Sequence, residues 1–172
     1  MASQTGRTVA KWFKFQIDDS AGTLRDIPVN SINGVGLTFD EVDLTAFQDA
    51  VKGALAGQPD FTLTVGGPFD NTAAQAASAS GAAAALSGSH TVLSALSAAQ
   101  AAGTAVPLSF GCYFGIRHYW ETGEPVFGLT SSATNGCLLF EYTVDPGNAT
   151  YSAKFRMSPG SAVPAWGTAA IT

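Results

Sequence analysis

Charge is what this 172-residue chain has least of. Charged side chains make up 12% of it, against roughly a quarter in an ordinary soluble domain. Eight basic residues face thirteen acidic ones, for a net charge of −5. The basic residues are scattered, and none falls between Lys52 and Arg117. A grip on nucleic acid needs a clustered basic face that neutralises phosphates, and no such cluster exists here. Cysteine is equally scarce: Cys112 and Cys137 are the only two, too few for a disulfide framework, and their apolar, strand-like surroundings mark them as buried thiols. The two histidines, His90 and His118, lie in no HExxH pattern and beside no cysteine pair of zinc spacing. No GxSxG elbow occurs, and Gly34-Val35-Gly36 lacks a third glycine at Phe39 for a dinucleotide loop. No apolar run approaches the length of a membrane span. MASQTGRTVAKWF has no apolar stretch after its charges, so it is no signal peptide, and the chain is expected to be made in the cytoplasm without a membrane partner. Asn148-Ala149-Thr150 then reads as a turn and not as a glycosylation site.

What chemistry remains is thin. His118 with Glu121, Glu124 and Cys112 is the best catalytic constellation available, and a turn after an edge strand accounts for the same polar residues. Asp40, Glu41 and Asp43 offer calcium-type oxygens, yet their alternation with apolar residues is also that of a solvated strand face. Trp12, Trp120 and Trp166 read as core or interface anchors rather than sugar platforms. No catalytic residue, metal ligand or cofactor is therefore assigned, and the protein is not expected to be an enzyme.

Hydrophobic alternation is the positive signal. Lys11 to Ile17 sets Phe13, Phe15 and Ile17 on one face, a first strand, followed by a DDSAG turn. Thr23 to Ile32 reads as a second strand able to pair with the first, with Pro28 demanding an edge or a kink. Asn33-Gly34 suits a tight turn. Phe39 to Leu44 alternates apolar and acidic residues as a half-exposed strand. Thr45 and Gln48 then form a capping box, and Phe47, Val51 and Leu55 recur at every fourth position. The reading is a helix from Ala46 to Ala56, closed by Gly57 and docked on the core as a structural brace. Phe61, Leu63 and Val65 alternate with Thr62 and Thr64 in the next strand. Leu108 to Arg117, Gly136 to Val144 and Thr150 to Met157 supply three more, the last two joined by an Asp145-Pro146-Gly147-Asn148 turn.

The alanine-rich stretch 71–105 is an insertion or loop of biased composition. Propensity supports helix at Thr72 to Leu86 and again at Thr91 to Ala102, with Val92, Leu93 and Leu96 apolar. So little charge makes a fully exposed helix marginal in water, which favours partial helix plus extended loop lying against the body or a neighbour. The whole chain is read as one domain, 1–172, with an N-terminal arm 1–10 and a C-terminal tail 163–172. Its class is mainly β with a flanking α-helix, a β-sandwich or rolled β-barrel. The shortage of charge is explained either by surface buried in an assembly or by a neutral Ser/Thr-rich surface. Arg7, Lys11, Trp12 and Trp166 are the candidate assembly contacts.

The block FDEVDLTAF, QDAVKGALAG and PDFTLTVGGPFDNTA, with WGT near the C-terminus, resembles the tail tube (major tail) proteins of tailed bacteriophages and related phage virion proteins. Members of that group usually carry Gly where Gln48 stands. The resemblance implies a tail-tube-type β fold and a virion protein assembled in the host bacterial cytoplasm. It further implies homo-oligomeric, hexameric rings stacked around a channel, contacts with other virion proteins, and DNA only as passing cargo. A head decoration, head-completion or fibre-anchoring role would fit the same resemblance, and a small cellular binding module is the remote alternative.

Overall fold

The computed structural model describes residues 10–46, 51, 53–75, 85–116 and 118–172. After a 3-10 turn at Ala10–Trp12 come β1 (Phe13–Asp18), β2 (Leu24–Ile27), β3 (Ser31–Asn33), β4 (Thr38–Asp43), β5 (Ala54–Asp60) and β6 (Thr62–Pro68). Then follow β7 (Ala85–Leu86), helix α1 (Ser89–Ala101), β8 (Phe110–Phe114), β9 (Val126–Leu129), β10 (Cys137–Asp145), β11 (Thr150–Met157) and β12 (Ala165–Gly167). Six strands form one sheet in the order β12-β9-β8-β1-β2-β7, four form a second in the order β10-β11-β6-β3, and β4 and β5 pair only with each other. The class is the expected one: mainly β, two packed sheets, one flanking helix.

The core lies between the two sheets. Phe15, Ile17, Phe110, Cys112 and Phe127 reach it from one side, and Leu63, Val65, Leu139, Ala153 and Phe155 from the other, all fully buried or nearly so. The Phe15 and Phe155 rings meet at 5.9 Å across the layers. Two corners roll the sheets into a continuous wall. At the first, Pro28 cannot donate to a ladder, so the Thr23 to Ile32 pattern divides into β2 in one sheet and β3 in the other, with the Tyr151 hydroxyl donating to the Pro28 carbonyl at 2.9 Å. At the second, Leu108 and Cys137 exchange main-chain bonds of 2.9 and 3.0 Å. Asn33-Gly34 does not form the expected tight turn: Asn33 ends β3, which pairs with β6, and the chain bends at Gly36. Gly34 is held at φ +83°, where a Cβ would collide with the Thr62 carbonyl oxygen, so only glycine is comfortable there.

The outer face of the six-stranded sheet is covered too. The C-terminal tail lays Ile171 over Gly111 and Gly128, close enough that a Cβ on Gly128 would approach its Cγ1 to 3.0 Å. The Ile171 amide donates to the Tyr113 hydroxyl at 3.1 Å. Asp18, buried on the alternate side of β1, is satisfied by the Ser109 amide at 2.6 Å and the Ser131 hydroxyl at 3.2 Å.

The helix reading has to be corrected. The α-helix among the described residues is α1, at the second alanine-rich pattern, where Val92, Leu93 and Leu96 are buried against the sandwich as expected. Its first turn is tied to residues 68–72, because the Ser89 hydroxyl donates to the Pro68 carbonyl and the His90 amide to the Asp70 carbonyl. Gly103, at φ +69°, ends it. The Thr72 to Leu86 helix does not form at either end: Thr72 is bound into an Asx turn by the Asp70 carboxylate, and Ala85–Leu86 is strand. Its centre, 76–84, lies outside the described residues.

No helix runs from Ala46 to Ala56 either, since Ala54–Asp60 is β5 and pairs antiparallel with β4, Val42 opposite Leu55. The Thr45 hydroxyl, read as a helix cap, instead accepts from the Gly53 amide at 3.0 Å and faces the Gly53 carbonyl at 3.3 Å, closing the neck of a hairpin. Val51 is 78% and Leu55 59% exposed, so neither docks on the core. Phe47 and Gln48 lie outside the described residues. Gly57 is not a helix terminator: it sits in β5 where that strand bulges opposite Asp40, and a Cβ there would come within 3.1 Å of the Asp40 carbonyl.

Candidate assembly surface

The chemical candidates do not converge. Cys112 points into the core in register with Phe15, where burial pushes its thiol up to about 12, while His118 is exposed on a surface loop. Glu124 is occupied structurally, accepting from the Ile116 amide at 2.8 Å and the Glu121 amide at 3.0 Å. His118 lies 3.6 Å from it, and its pKa is raised, chiefly by the bond to the Tyr119 carbonyl and then by Glu124 and Glu121. Cys137 is buried, with its thiol also pushed upward by desolvation, and both cysteines are free. Among the described residues no three His, Cys, Asp or Glu side chains come together as a metal site. Asp43 turns its carboxylate onto Thr45, whose side chain first and then its amide hold the Asp43 pKa low.

One titratable pair does bear on stability. Lys14 holds its ammonium 4.6 Å above the Tyr113 ring, and burial lowers its pKa against the pull of Asp26. Burial likewise pushes the Asp26 carboxyl up to about 6, more than Lys14 draws it down. A folded-state pKa above the unfolded one means that the stability attached to the protonated acid is complete below about 4 and is lost as pH rises through about 6. Asp26→Asn is therefore expected to stabilise the protein by about 1–3 kcal/mol at pH 7 and to leave it nearly unchanged at pH 4. Denaturant titrations of both proteins at the two pH values measure the difference.

The surface with a distinct character is apolar. Phe39, Val42, Leu44, Val51 and Leu55 are all exposed on or beside the β4–β5 hairpin. Every residue of β4 is exposed as well, and among the described residues β4 and β5 pair with no strand of the sandwich, the ribbon being tied to it at its base by Asp60 and Arg156. A second apolar area lies where β1 begins. Phe13 stacks edge-on with Phe114 at 4.7 Å, Phe114 meets Trp166 at 5.4 Å, and Trp166 meets Phe127 at 5.1 Å. Trp166 extends the core face past the cover of the second sheet and stays 58% exposed. Beside it Lys11 sits 4.4 Å above the Trp12 ring, and Trp12 meets Tyr119 edge-on at 5.5 Å. Of the four sequence-derived contact candidates, Lys11 and Trp12 lie together against Tyr119 and Trp166 lies against Phe114 and Phe127, with no ring contact joining the two groups among the described residues; Arg7 lies outside the described residues. The hairpin was missed as a surface because Val51 and Leu55 were spent on a helix stripe, which left the half-exposed strand of Phe39, Val42 and Leu44 without its partner.

These features define a two-sheet β fold carrying an exposed apolar ribbon and, among the described residues, no assembled reactive centre. No family model and no curated protein matches the chain. Solved structures do. A chain of an extracellular contractile injection system, in its PVC sheath–tube complex in the extended state, aligns at TM-score 0.55 and 10% identity over 98% of this chain and 95% of that one. The tube-terminating cap of the anti-feeding prophage aligns at 0.56 and 11%, over 98% and 95%. The PVC sheath/tube terminator aligns at 0.53 and 9%, over 96% and 99%. At such identities the shared property is the fold, and it is a fold of phage-tail-like structural components along nearly the full length of both partners.

Proposed function

We propose that this chain is a structural subunit that polymerises as a tail tube, in stacked and hexameric rings around a DNA channel, within a phage-tail-like particle or virion assembled in the bacterial cytoplasm. The observation that carries the reading is the β4–β5 ribbon: exposed apolar side chains on a strand pair with open edges, in a chain too poor in charge for a large solvated surface. Lone protein surfaces rarely gather apolar residues this way, and open strand edges are ready templates for pairing with another copy. The match in fold to tail-like components supports the same reading, as do the sequence motifs quoted above. An acidic chain also suits a conduit through which a polyanion passes without being held.

A second reading has an observation of its own, since two of the matched structures are described as a cap and a terminator: a ring that ends a tube instead of extending it. Negative-stain electron microscopy of the purified protein separates the two. Long tubes with a regular ring repeat are expected; closed rings that never stack would assign the terminal role. Monomers at every concentration, with the hairpin intact, would refute both.

A further inference from the structure

The corner at Pro28 leaves a slot. Pairing between β1 and β2 begins at Phe15 and Ile27, so Phe13 and Lys14 have no ladder partner on that side among the described residues. Across the gap, β3 is the last strand of its sheet, and its outer edge is likewise unpaired. Between the two edges lies an open groove of about 480 Å³, walled by Phe13, Val29, Ile32 and Asn33 with Lys11 at its mouth. That volume lies within the roughly 300–1,000 Å³ of ordinary binding pockets. It has polar main chain on its walls, apolar side chains at its base and a single cation.

Only an extended segment answers all three features, because main-chain pairing at two sheet edges needs a strand. The cation selects an acidic one. Among the described strands, β4 fits: it carries Asp40, Glu41 and Asp43 within six residues, Val42 among them and Leu44 just beyond, and its outer edge has no ladder partner among the described residues. Asp60 of β5, by contrast, is already paired with Arg156 at 3.0 Å. Lys11 makes no ion pair within its own copy among the described residues, and neither do Asp40 and Glu41.

We propose that the groove between the start of β1 and β3 receives the β4 edge of a second copy of this chain, with the Glu41 carboxylate against Lys11. The assignment rests on the self-assembling reading above and names the surface into which the hairpin fits. It makes the contact heterologous, one patch meeting a different patch, so that copies add in one direction around a ring or along a tube.

The test uses full-length protein in two populations, Asn33→Cys and Glu41→Cys, mixed and treated with a short bis-maleimide. The native Cys112 and Cys137 are fully buried and do not compete while the protein is folded. A crosslinked heterodimer at assembling concentration, absent when either population is treated alone, is the expected result. In parallel, Lys11→Glu should raise the critical concentration for assembly at least tenfold with an unchanged circular dichroism spectrum, and adding Glu41→Lys to it should restore assembly. Particles that form normally with Lys11→Glu and give no heterodimer would overturn the groove assignment while leaving the tube reading intact. Failure of the unsubstituted protein to assemble at all would overturn both.

Discussion

Replacing Val42 and Leu55 together by Asp is expected to abolish polymerisation while leaving the isolated subunit folded and nearly as stable as before. The two residues face each other across the β4–β5 ladder and form an apolar pair directed at solvent, 44% and 59% exposed. Surface substitutions away from packed features usually move stability by no more than about 0.5 kcal/mol. In an assembly the same side chains are covered, and burying each is worth about 1.5–3 kcal/mol. Two Asp carboxylates in the same place would lose that and add the cost of desolvated charge without a partner. Each contact should then weaken by a factor of at least about a hundred, and repetition around a ring multiplies the loss. Sedimentation velocity reads the assembly and a thermal melt of the dissociated subunit reads the fold. Normal tubes from the double variant would show that the ribbon is not an interface, and a large drop in melting temperature would show that it packs against its own sandwich.

The ribbon is also where local sequence reasoning and the structure part company, and the reason is physical. Phe47, Val51 and Leu55 at every fourth position, preceded by Thr45 and followed by Gly57, satisfy every short-range criterion for a capped amphipathic helix. Such a helix draws most of its stability from docking its stripe on a core, and here Val51 and Leu55 are both exposed. Main-chain pairing along β4 supplies bonds that need no core, while Gly53 would weaken a helix by about 1 kcal/mol. The opposite case is α1. Gly88 gives it no side-chain cap, yet Val92, Leu93 and Leu96 find an apolar surface, and docking outweighs the missing cap. β6 and β11 were legible because they lie beside each other in the interior of their sheet, so one clean side is buried. β9 and β12 were not, being four and three residues long; their pairing is set by partners far away in sequence. The same distance hid the contacts of Trp166 with Phe114 and Phe127, which exist only because β12 pairs with β9 beside β8.

The strength of the fold should reside where the two sheets meet, and Phe155→Ala is the sharpest way to measure it. Phe155 is fully buried at the centre of β11, between the Leu63 and Leu139 positions of its neighbours and against the Phe15 ring of the other sheet. Truncation removes a whole ring from a site flanked by β-ladders on both sides, so the walls cannot collapse into the void. Large-to-small changes of this kind cost about 3–5 kcal/mol. For a domain of this size each kcal/mol lowers the melting temperature by about 2–4 °C, so a fall of roughly 6–20 °C is expected for the unassembled protein. Phe155→Leu, which keeps most of the volume, should lose less than half as much. The comparison must be made below the assembly concentration, because polymer contacts stabilise the folded state by mass action. Equal, small shifts for the two variants would mean that the sheets are not held by their shared core, and stability would then have to come from the corners at Pro28 and Leu108.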